Sequence, residues 1–428
     1  MSIKQFRLGD SKLEFSKKIE EASNKALELC KKMFEEIESV EEYNQQKVLK
    51  AFIKNEVSES HFVETTGYGY NDRGREKLDE VFADIFGCED ALVRHNFVSG
   101  THTLSTALFG ILRPKDKVLC LTGTPYDTLS DVINSKGKNY GSLSDFDIDF
   151  EYIDYNKNED IYFKNIKNKL LKNKYKLLYI QRSRGYTLRD SLSSKKIGDI
   201  IKFAKSIDDK IISMVDNCYG EFAEKHEPTH FGADLIAGSL IKNPGGGIAP
   251  SGGYIAGKKA LVEQCAYRLT APGIGKEIGA NFGVNRSLFM GILNAPHVVA
   301  EAKKTAVFAA ALFDILGYEV YPKYDETRFD IVQSIVLEKP ESLINFCKGI
   351  QAASPVDSFV SPEPWDMPGY ENKIIMAAGT FISGSSIELS ADGPLKNPYT
   401  VWVQGGANFY CSKLGIMNAA ENVEVVIS

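Results

Sequence analysis

The sequence lacks any long hydrophobic run. None of its stretches approaches the ~20 consecutive apolar residues that a membrane-spanning helix requires. The N-terminal residues, MSIKQFRLGDSKLEFSKKIEEA, also lack the apolar core of a signal peptide. These two absences predict a cytoplasmic protein that has no membrane partner.

Basic residues are not in excess, and the cysteines form no CxxC pair. A formal net charge of −6 argues against nucleic acid as the main partner. The seven cysteines are odd in number and scattered, which indicates reduced thiols and predicts neither a disulfide framework nor a metal site. Cys218 could be proposed as a nucleophile, but a small buried core thiol is the simpler interpretation.

Two nucleotide-binding signatures are absent as well. No GxGxxG follows the first predicted strand, and the triple glycine Gly245–Gly247 lacks the GxxxxGK[ST] order of a P-loop. Nucleotide binding is therefore the poorer interpretation of the glycine-rich segments.

Strands alternate with helices from about Asp90 to Gly257. This pattern predicts a doubly wound α/β domain whose ligand crevice lies at the carboxyl ends of its parallel strands. Around it we predict three units: an N-terminal helical arm over residues 1–58, the large α/β domain over 59–295, and a smaller α+β domain over 296–428.

The predicted arm is one helix over residues 13–54. In the small domain, a long helix over 297–316 precedes strand-like runs that include 373–377 and 386–389. Its segments 384–394 and 404–406 are candidates to close over the crevice.

Two charged residues follow neighbouring predicted strands. An apolar run ends at Asp216, and a second run leads through Ser239 to Lys242. Burial predicts a depressed pKa for this lysine, and hence the free amine of an imine-forming nucleophile. Pyridoxal 5'-phosphate (PLP) requires such a lysine and an aspartate that protonates its ring nitrogen. A surface lysine and a turn aspartate are the alternatives.

Small polar residues at the start of a predicted helix suit a phosphate group. Ser99, Gly100 and Thr101 would present backbone N–H groups and hydroxyls to an anion, although a simple N-cap explains them equally well. Tyr126, in a later strand-end turn, either stacks on a planar cofactor or packs in the core.

Arginines occur in two further segments. Arg182 and Arg184 follow a predicted strand, where a guanidinium could bind a carboxylate or phosphate or form a surface salt bridge. The glycine-rich segment Gly67–Arg75 is expected to be flexible, and its tyrosines and arginines either bind an anion or belong to a solvated loop.

These residues, in this order and spacing, resemble those of fold-type I PLP enzymes, and in particular the cystathionine β-lyase and methionine γ-lyase group. The similarity is greatest to the branch called aluminium resistance proteins. It covers nearly the whole chain beyond the arm and depends on these motifs: QRSRGY (181–186), IKNPGGGIAPSGGYIAG (241–257), LTAPGIGKE (269–277), SIELSADGP (386–394) and PYTVWVQGG (398–406).

The resemblance implies a PLP-dependent transferase-like fold, with a mainly parallel doubly wound sheet in the large domain and a smaller α+β C-terminal domain. It also implies roles for particular residues. Lys242 would form the imine with PLP, Asp216 would pair with the ring nitrogen, Tyr126 would stack on the ring, and Gly100, Thr101 and Ser239 would hold the phosphate. Tyr70 and Arg73 are the nearest matches to a tyrosine and an arginine that a neighbouring subunit supplies in dimer-based homotetramers of this group.

One departure concerns the substrate carboxylate. Enzymes of this group are expected to bind it with an arginine of the C-terminal domain, but no arginine follows Arg328 here. Arg184 or Arg182 is the first replacement candidate, followed by Arg268 and then Lys396.

The resemblance implies a carbon–sulfur lyase that acts on a sulfur-containing amino acid. Lys242 would remove the α-proton as general base, and a β- or γ-substituent would leave. Alternatives are a PLP enzyme of another reaction type, such as an aminotransferase or aldolase, a PLP-binding protein with a non-catalytic stress-related role, and a phosphate-binding α/β domain without an imine.

Overall fold

A computed structural model of the protein describes residues 13–134, 141–367 and 372–427. Residues 1–12 of the predicted arm lie outside this part of the chain. The helices in it are α1 (Lys17–Lys54), α2 (Arg73–Phe86), α3 (Gly100–Ile111), α4 (Asp127–Ile133), α5 (Glu159–Lys172), α6 (Ser194–Lys205), α7 (Lys259–Leu269), α8 (Asn285–Ile315), α9 (Pro340–Ala352) and α10 (Phe409–Ile427). Across the described ranges, no helix has both the length and the apolar character needed to cross a bilayer.

The strands form two separate sheets. They are β1 (Asp90–Arg94), β2 (Lys117–Cys120), β3 (Asp149–Tyr152), β4 (Leu177–Gln181), β5 (Ile212–Asp216), β6 (Leu235–Ser239), β7 (Gly253–Gly257), β8 (Glu319–Tyr321), β9 (Val332–Val336), β10 (Ile374–Ala377), β11 (Ser390–Pro394) and β12 (Thr400–Gln404).

The large sheet has the strand order β1-β7-β6-β5-β4-β2-β3. The pairs from β6 to β3 are parallel, and β7 runs antiparallel to both of its neighbours. Helices α2, α5, α6 and α8 pack on one face, and α3, α4 and α7 pack on the other. Strands such as β4 and β6 are buried along their whole length, as expected for a sheet covered on both faces. The predicted, mainly parallel doubly wound sheet is confirmed.

The small sheet is antiparallel, with the order β10-β11-β12-β9-β8. It shares a hydrophobic cluster with α1, α8, α9 and α10, which confirms the α+β character of the C-terminal part. Helix α8 contributes its first half to the core of the large sheet and its second half to this cluster. A domain boundary after residue 295 would fall inside this continuous helix.

Helix α1 begins later than the predicted helix. Ser16 is its N-cap, and its hydroxyl accepts a hydrogen bond from the Ile19 N–H, so the helix starts at Lys17. The buried residues Ile19, Ala22 and Ala26 follow the helical period of the sequence. The arm is therefore a long helix, and it packs along α8.

The strand predicted over residues 386–389 is wrong. These residues form an irregular loop, and the strand β11 begins at Ser390. The Ile387 side chain is buried in the core, which accounts for an apolar residue at this loop position. Its carbonyl accepts a hydrogen bond from the Gly406 N–H. The last five residues of the predicted closing segment 384–394 thus form β11, an interior strand of the small sheet.

Candidate active site

The carboxyl ends of three parallel strands meet at one edge of the large sheet. Asp216, the last residue of β5, lies in register with Gln181 of β4 and Ala237 of β6. Lys242 follows the end of β6. Asp216, Lys242 and Gln181 line a cavity of about 240 Å³ between the two sheets, the position at which open parallel sheets bind ligands.

Lys242 is held beside an aromatic ring. Its Nζ atom lies 4.0 Å from the ring centroid of Tyr219, within the range of a cation–π interaction. Burial alone would lower the lysine pKa, but the acidic groups of Cys218, Tyr219, Asp216 and Glu221 outweigh it and raise the pKa. The depressed pKa expected from the sequence is therefore wrong for the cofactor-free protein, because that expectation considered burial without the acidic neighbours.

Asp216 is a buried carboxyl group beside this amine. It accepts hydrogen bonds from the Cys218 N–H at 3.2 Å and from the Tyr179 hydroxyl at 3.4 Å. Burial raises its pKa, and the Lys242 cation and these hydrogen bonds oppose the rise. The sheet edge thus presents a carboxyl group and an amine to the same protected space.

The start of α3, which lines the same cavity, suits a phosphate group. Ser99 caps α3 by accepting the His102 N–H, so Gly100 and Thr101 occupy the first turn, where N–H groups have no partner within the helix. The buried Ser239 hydroxyl has no hydrogen-bond partner in the described part of the chain. A β-carbon on Gly100 would lie 3.4 Å from the Ser239 Cβ, so this hydroxyl is next to the helix start. An anion that accepts hydrogen bonds fits there.

Two tyrosine rings form a wall of the cavity. The backbone N–H of Tyr126 donates to the Gln181 side chain at 2.8 Å, which fixes the turn that carries this ring. The Tyr126 and Tyr186 rings are 5.5 Å apart, and both line the cavity. Both rings are therefore placed to contact a ligand in the cavity, and the stacking of Tyr126 on a planar cofactor stays a prediction.

Comparison with known proteins assigns the family. A family model described as methionine gamma-lyase matches residues 19–424. The chain belongs to the methionine γ-lyase family. It is similar to the uncharacterized protein YnbB of Bacillus subtilis, with 48% identity over 389 residues, or 91% of this chain and 92% of the relative. It is also similar to the crystal structure of a carbon-sulfur lyase involved in aluminum resistance from Clostridium novyi NT, with 48% identity, a TM-score of 0.91 and coverage of 96% and 97% of the two chains.

More distant structures share the fold alone. A cystathionine gamma synthase from Xanthomonas oryzae pv. oryzae is 16% identical, with a TM-score of 0.59 over 85% of this chain and 93% of that one. The chain therefore has the fold-type I architecture of PLP-dependent enzymes, and it belongs to a carbon–sulfur lyase-like family of such enzymes. PLP is the expected cofactor of this methionine γ-lyase family member.

The predicted substrate arginines do not line the cavity. Gln181 and Ser183 line it, whereas Arg182 and Arg184 do not. Successive side chains of an extended segment point to opposite sides, so the two arginines face away from the cavity. Arg182 is fully buried and binds Asn217, Glu224 and Glu227.

The other carboxylate-binding candidates also lie elsewhere. Arg184 donates to the Tyr321 carbonyl at 2.8 Å. The Arg268 guanidinium lies over the Phe109 ring, and the exposed Lys396 does not line the cavity. None of the described cavity-lining residues is an arginine.

Tyr70 and Arg73 do not reach the cavity of their own chain. Tyr70 is 64% exposed, and Arg73 is an exposed residue at the start of α2. The buried Arg75 donates to the carbonyls of Gly69 and Gly279 at 2.8 Å, and the flexibility expected of Gly67–Arg75 stays a prediction.

The sequence reasoning missed Tyr219 and Glu221, although both follow Asp216 closely in the motif DNCYGE. Tyr219 has a φ of 70°, a rare conformation for a residue with a side chain, and its hydroxyl bonds to Ser386 at 3.2 Å. Glu221 is fully buried and accepts a hydrogen bond from Tyr254 at 2.7 Å. Burial raises the pKa of Glu221 to about 8.

Asp392, Trp402 and Gln404 were also missed as cavity residues. They come from the small sheet. Asp392 and Gln404 lie in the two segments, 384–394 and 404–406, that the sequence marked as candidates to close over the crevice, and Trp402 lies in a motif quoted only for the resemblance. The signal available for Asp392 was a charged residue within the short run of small residues Ser390–Pro394.

Proposed function

We propose that this protein is a PLP-dependent carbon–sulfur lyase that acts on a sulfur-containing amino acid, by an elimination of the methionine γ-lyase or cystathionine β-lyase type. The observation that carries the proposal is the placement of Lys242 and Asp216 in one cavity, next to the helix start at Gly100 and to the Ser239 hydroxyl, which has no hydrogen-bond partner among the described residues.

Each cofactor contact is assigned to a residue of the chain. Ser99, Gly100, Thr101 and Ser239 would bind the phosphate group, and Asp216 would hold a proton at the ring nitrogen. The Tyr126 ring would pack on the cofactor ring. When bound, PLP supplies an aldehyde for amines and a ring that accepts electrons from the substrate α-carbon.

Lys242 has two roles in this proposal. Its amine would hold the cofactor, and the same amine, when free, would act as the general base that removes the substrate α-proton. In the cofactor-free protein the acidic groups around Lys242, including Asp216, raise the pKa of its amine, so the amine must lose its proton before it can act as this base. The proposed products are a thiol, a keto acid and ammonia.

One observation favours a second candidate. Without a cavity arginine in the described residues, a substrate α-carboxylate lacks its expected partner. A PLP-binding protein with a non-catalytic, stress-related role, or a PLP enzyme of another reaction type, would retain the same cofactor residues.

Product analysis separates these candidates. The purified holoprotein is incubated with a series of S-substituted cysteines and homocysteines, and the released thiol and keto acid are measured beside the Lys242→Ala variant. A lyase releases both products, and the variant releases neither. Keto acid without thiol indicates another reaction type, and an unchanged cofactor spectrum with every amino acid indicates a non-catalytic role.

We also propose that the sites are shared between chains in a dimer-based tetramer in the cytoplasm. The exposed positions of Tyr70 and Arg73 support this, because neither side chain lines the cavity of its own chain.

A further inference from the structure

A carboxylate lines the cavity on its small-sheet side. Asp392 of β11 is 5% exposed and lies in register with Met376 of β10 and Trp402 of β12. All three residues line the cavity, so one row across three strands forms its wall. The resemblance leads one to expect a carboxylate-binding arginine from this C-terminal part of the chain. Asp392 instead brings a negative charge to the cavity.

The surroundings of Asp392 orient it without neutralising it. Its Oδ2 atom accepts a hydrogen bond from the Tyr186 hydroxyl, and its Oδ1 atom accepts one from the Gln404 amide at 3.3 Å. Both donors are uncharged. Among the described cavity-lining residues the single cationic side chain is Lys242, which the proposed function reserves for the cofactor. A buried carboxylate without a cation is costly, so the site favours a cationic ligand.

Aromatic rings flank this carboxylate. The Tyr186 and Trp402 ring centroids are 5.0 Å apart, and both rings line the cavity beside Asp392. Tyrosine and tryptophan faces attract organic ammonium groups, and a neighbouring carboxylate adds a charge-assisted hydrogen bond. The combination recognises an alkylammonium and repels a carboxylate.

We propose that Asp392, with the Tyr186 and Trp402 rings, binds a cationic ammonium group on the leaving part of the substrate, so that the preferred substrates are sulfur-containing amino acids with a second amino group. This inference rests on the proposed function, because it assigns a substrate class to the same cavity.

Protonation of Asp392 makes the preference for a cationic ligand depend on pH. Burial raises its pKa to about 6, against the opposing effects of the Tyr186 hydrogen bond and the Lys242 cation. The other titratable groups coupled to Asp392 are Tyr219 and Cys347. Preference for a cationic ligand should therefore be strong at pH 8 and decline as the pH falls through about 6.

The test compares ligands of similar size and different charge. S-(2-aminoethyl)-cysteine, S-propylcysteine and S-carboxymethylcysteine are mixed with the holoprotein in a stopped-flow instrument, and the affinity of each is measured from the change in the cofactor absorption spectrum before turnover. We expect the cationic compound to bind at least ~10-fold more tightly than the neutral one, the size of a charge-assisted contact, and the anionic compound to bind most weakly.

Variants separate recognition from a structural role. Asp392→Asn should lose the preference for the cation while keeping the affinity for S-propylcysteine, and Asp392→Glu should restore part of the preference. Equal affinity of the wild-type protein for the cationic and neutral compounds overturns the inference, even if a variant fails to fold. The inference is also overturned if Asp392→Asn lowers the affinity for S-(2-aminoethyl)-cysteine and the affinity for S-propylcysteine by the same factor. Absence of thiol release from every compound defeats the lyase proposal alone, because the affinity ratio still decides the role of Asp392.

Discussion

At the scale of single residues, the Ser239 hydroxyl links the structure to the cofactor most directly. It is buried, it has no partner in the described ranges, and it lies beside the start of α3. Hydrogen bonds to charged groups contribute about 1.5–3 kcal/mol, so Ser239→Ala should weaken PLP affinity by roughly 10- to 100-fold. Titration of the cofactor-free protein with PLP measures this change.

Ser342→Ala is the matched control for that experiment. The Ser342 hydroxyl is also buried without a partner in the described chain, but it lies on α9, away from the cavity. The Ser342→Ala variant should bind PLP with the same affinity as the wild-type protein. Equal affinities of the Ser239 variant and the wild-type protein would argue against the assigned phosphate site.

Glu221 predicts a pH dependence of stability. Its pKa rises from 4.5 to about 8 on folding, so between these values the folded protein holds an extra proton. The contribution of Glu221 to the free energy of unfolding therefore falls by about 1.4 kcal/mol for each pH unit as the pH rises. A glutamine side chain does not titrate, so the free energy of unfolding of Glu221→Gln, relative to that of the wild-type protein, should increase by about 2.5 kcal/mol from pH 5.5 to pH 7.5. Urea unfolding at both pH values tests this, and a constant difference would contradict it.

The sequence predicts individual residues well where the chemistry is local. Asp216, Ser239 and Lys242 each stand at or just after the end of an apolar run, and the crevice of a parallel sheet collects such ends. Asp392 could not be predicted in this way, because its place in the cavity depends on how the small sheet packs against the large one.

At the scale of elements, the turn after Lys242 depends on a glycine without a side chain. A β-carbon on Gly245 would lie 1.6 Å from the Leu240 carbonyl oxygen, so the turn must move in Gly245→Ala. Overpacking of this kind costs about 1–3 kcal/mol, and here it also displaces Lys242. We expect lower stability in urea and loss of most of the cofactor absorbance.

Gly247 provides the control within the same glycine triplet. A β-carbon there meets nothing within 4 Å, and only the φ of +70° opposes a side chain. Gly247→Ala should cost about 1 kcal/mol and leave the cofactor absorbance unchanged. A similar loss of absorbance in both variants would show that close packing at Gly245 is not the cause.

The long amphipathic helix and the buried strands of the parallel sheet were predictable, and the run at residues 386–389 was not. The helix α1 and the strands β4 to β6 lie where the sequence places them, because burial sets their apolar pattern. Residues 386–389 (SIEL) alternate polar and apolar side chains as a strand does, but they pack as a loop against Gly405 and Gly406. Periodicity does not distinguish a buried loop from a short strand.

At the scale of the whole molecule, the shared site can be tested with mixed oligomers. Lys242→Ala and Arg73→Ala should each be inactive alone. If Arg73 acts in the site of the neighbouring chain, a hybrid dimer contains one intact site, and random mixing restores roughly a quarter of the wild-type activity.

The control mixes Lys242→Ala with Asp216→Asn. Both residues line one cavity of the same chain, so no hybrid of these two variants contains an intact site. Recovery in this control, or no recovery in the first mixture, would contradict an active site shared through Arg73.

The central claim, that Lys242 is the PLP-binding lysine, is tested most directly by the visible absorption spectrum of the purified protein, recorded before and after borohydride and compared with Lys242→Ala. We predict a yellow imine band in the wild-type protein that borohydride removes and that the variant lacks. A wild-type protein that stays colourless after PLP is added, or a band of the same kind in Lys242→Ala, would contradict the claim.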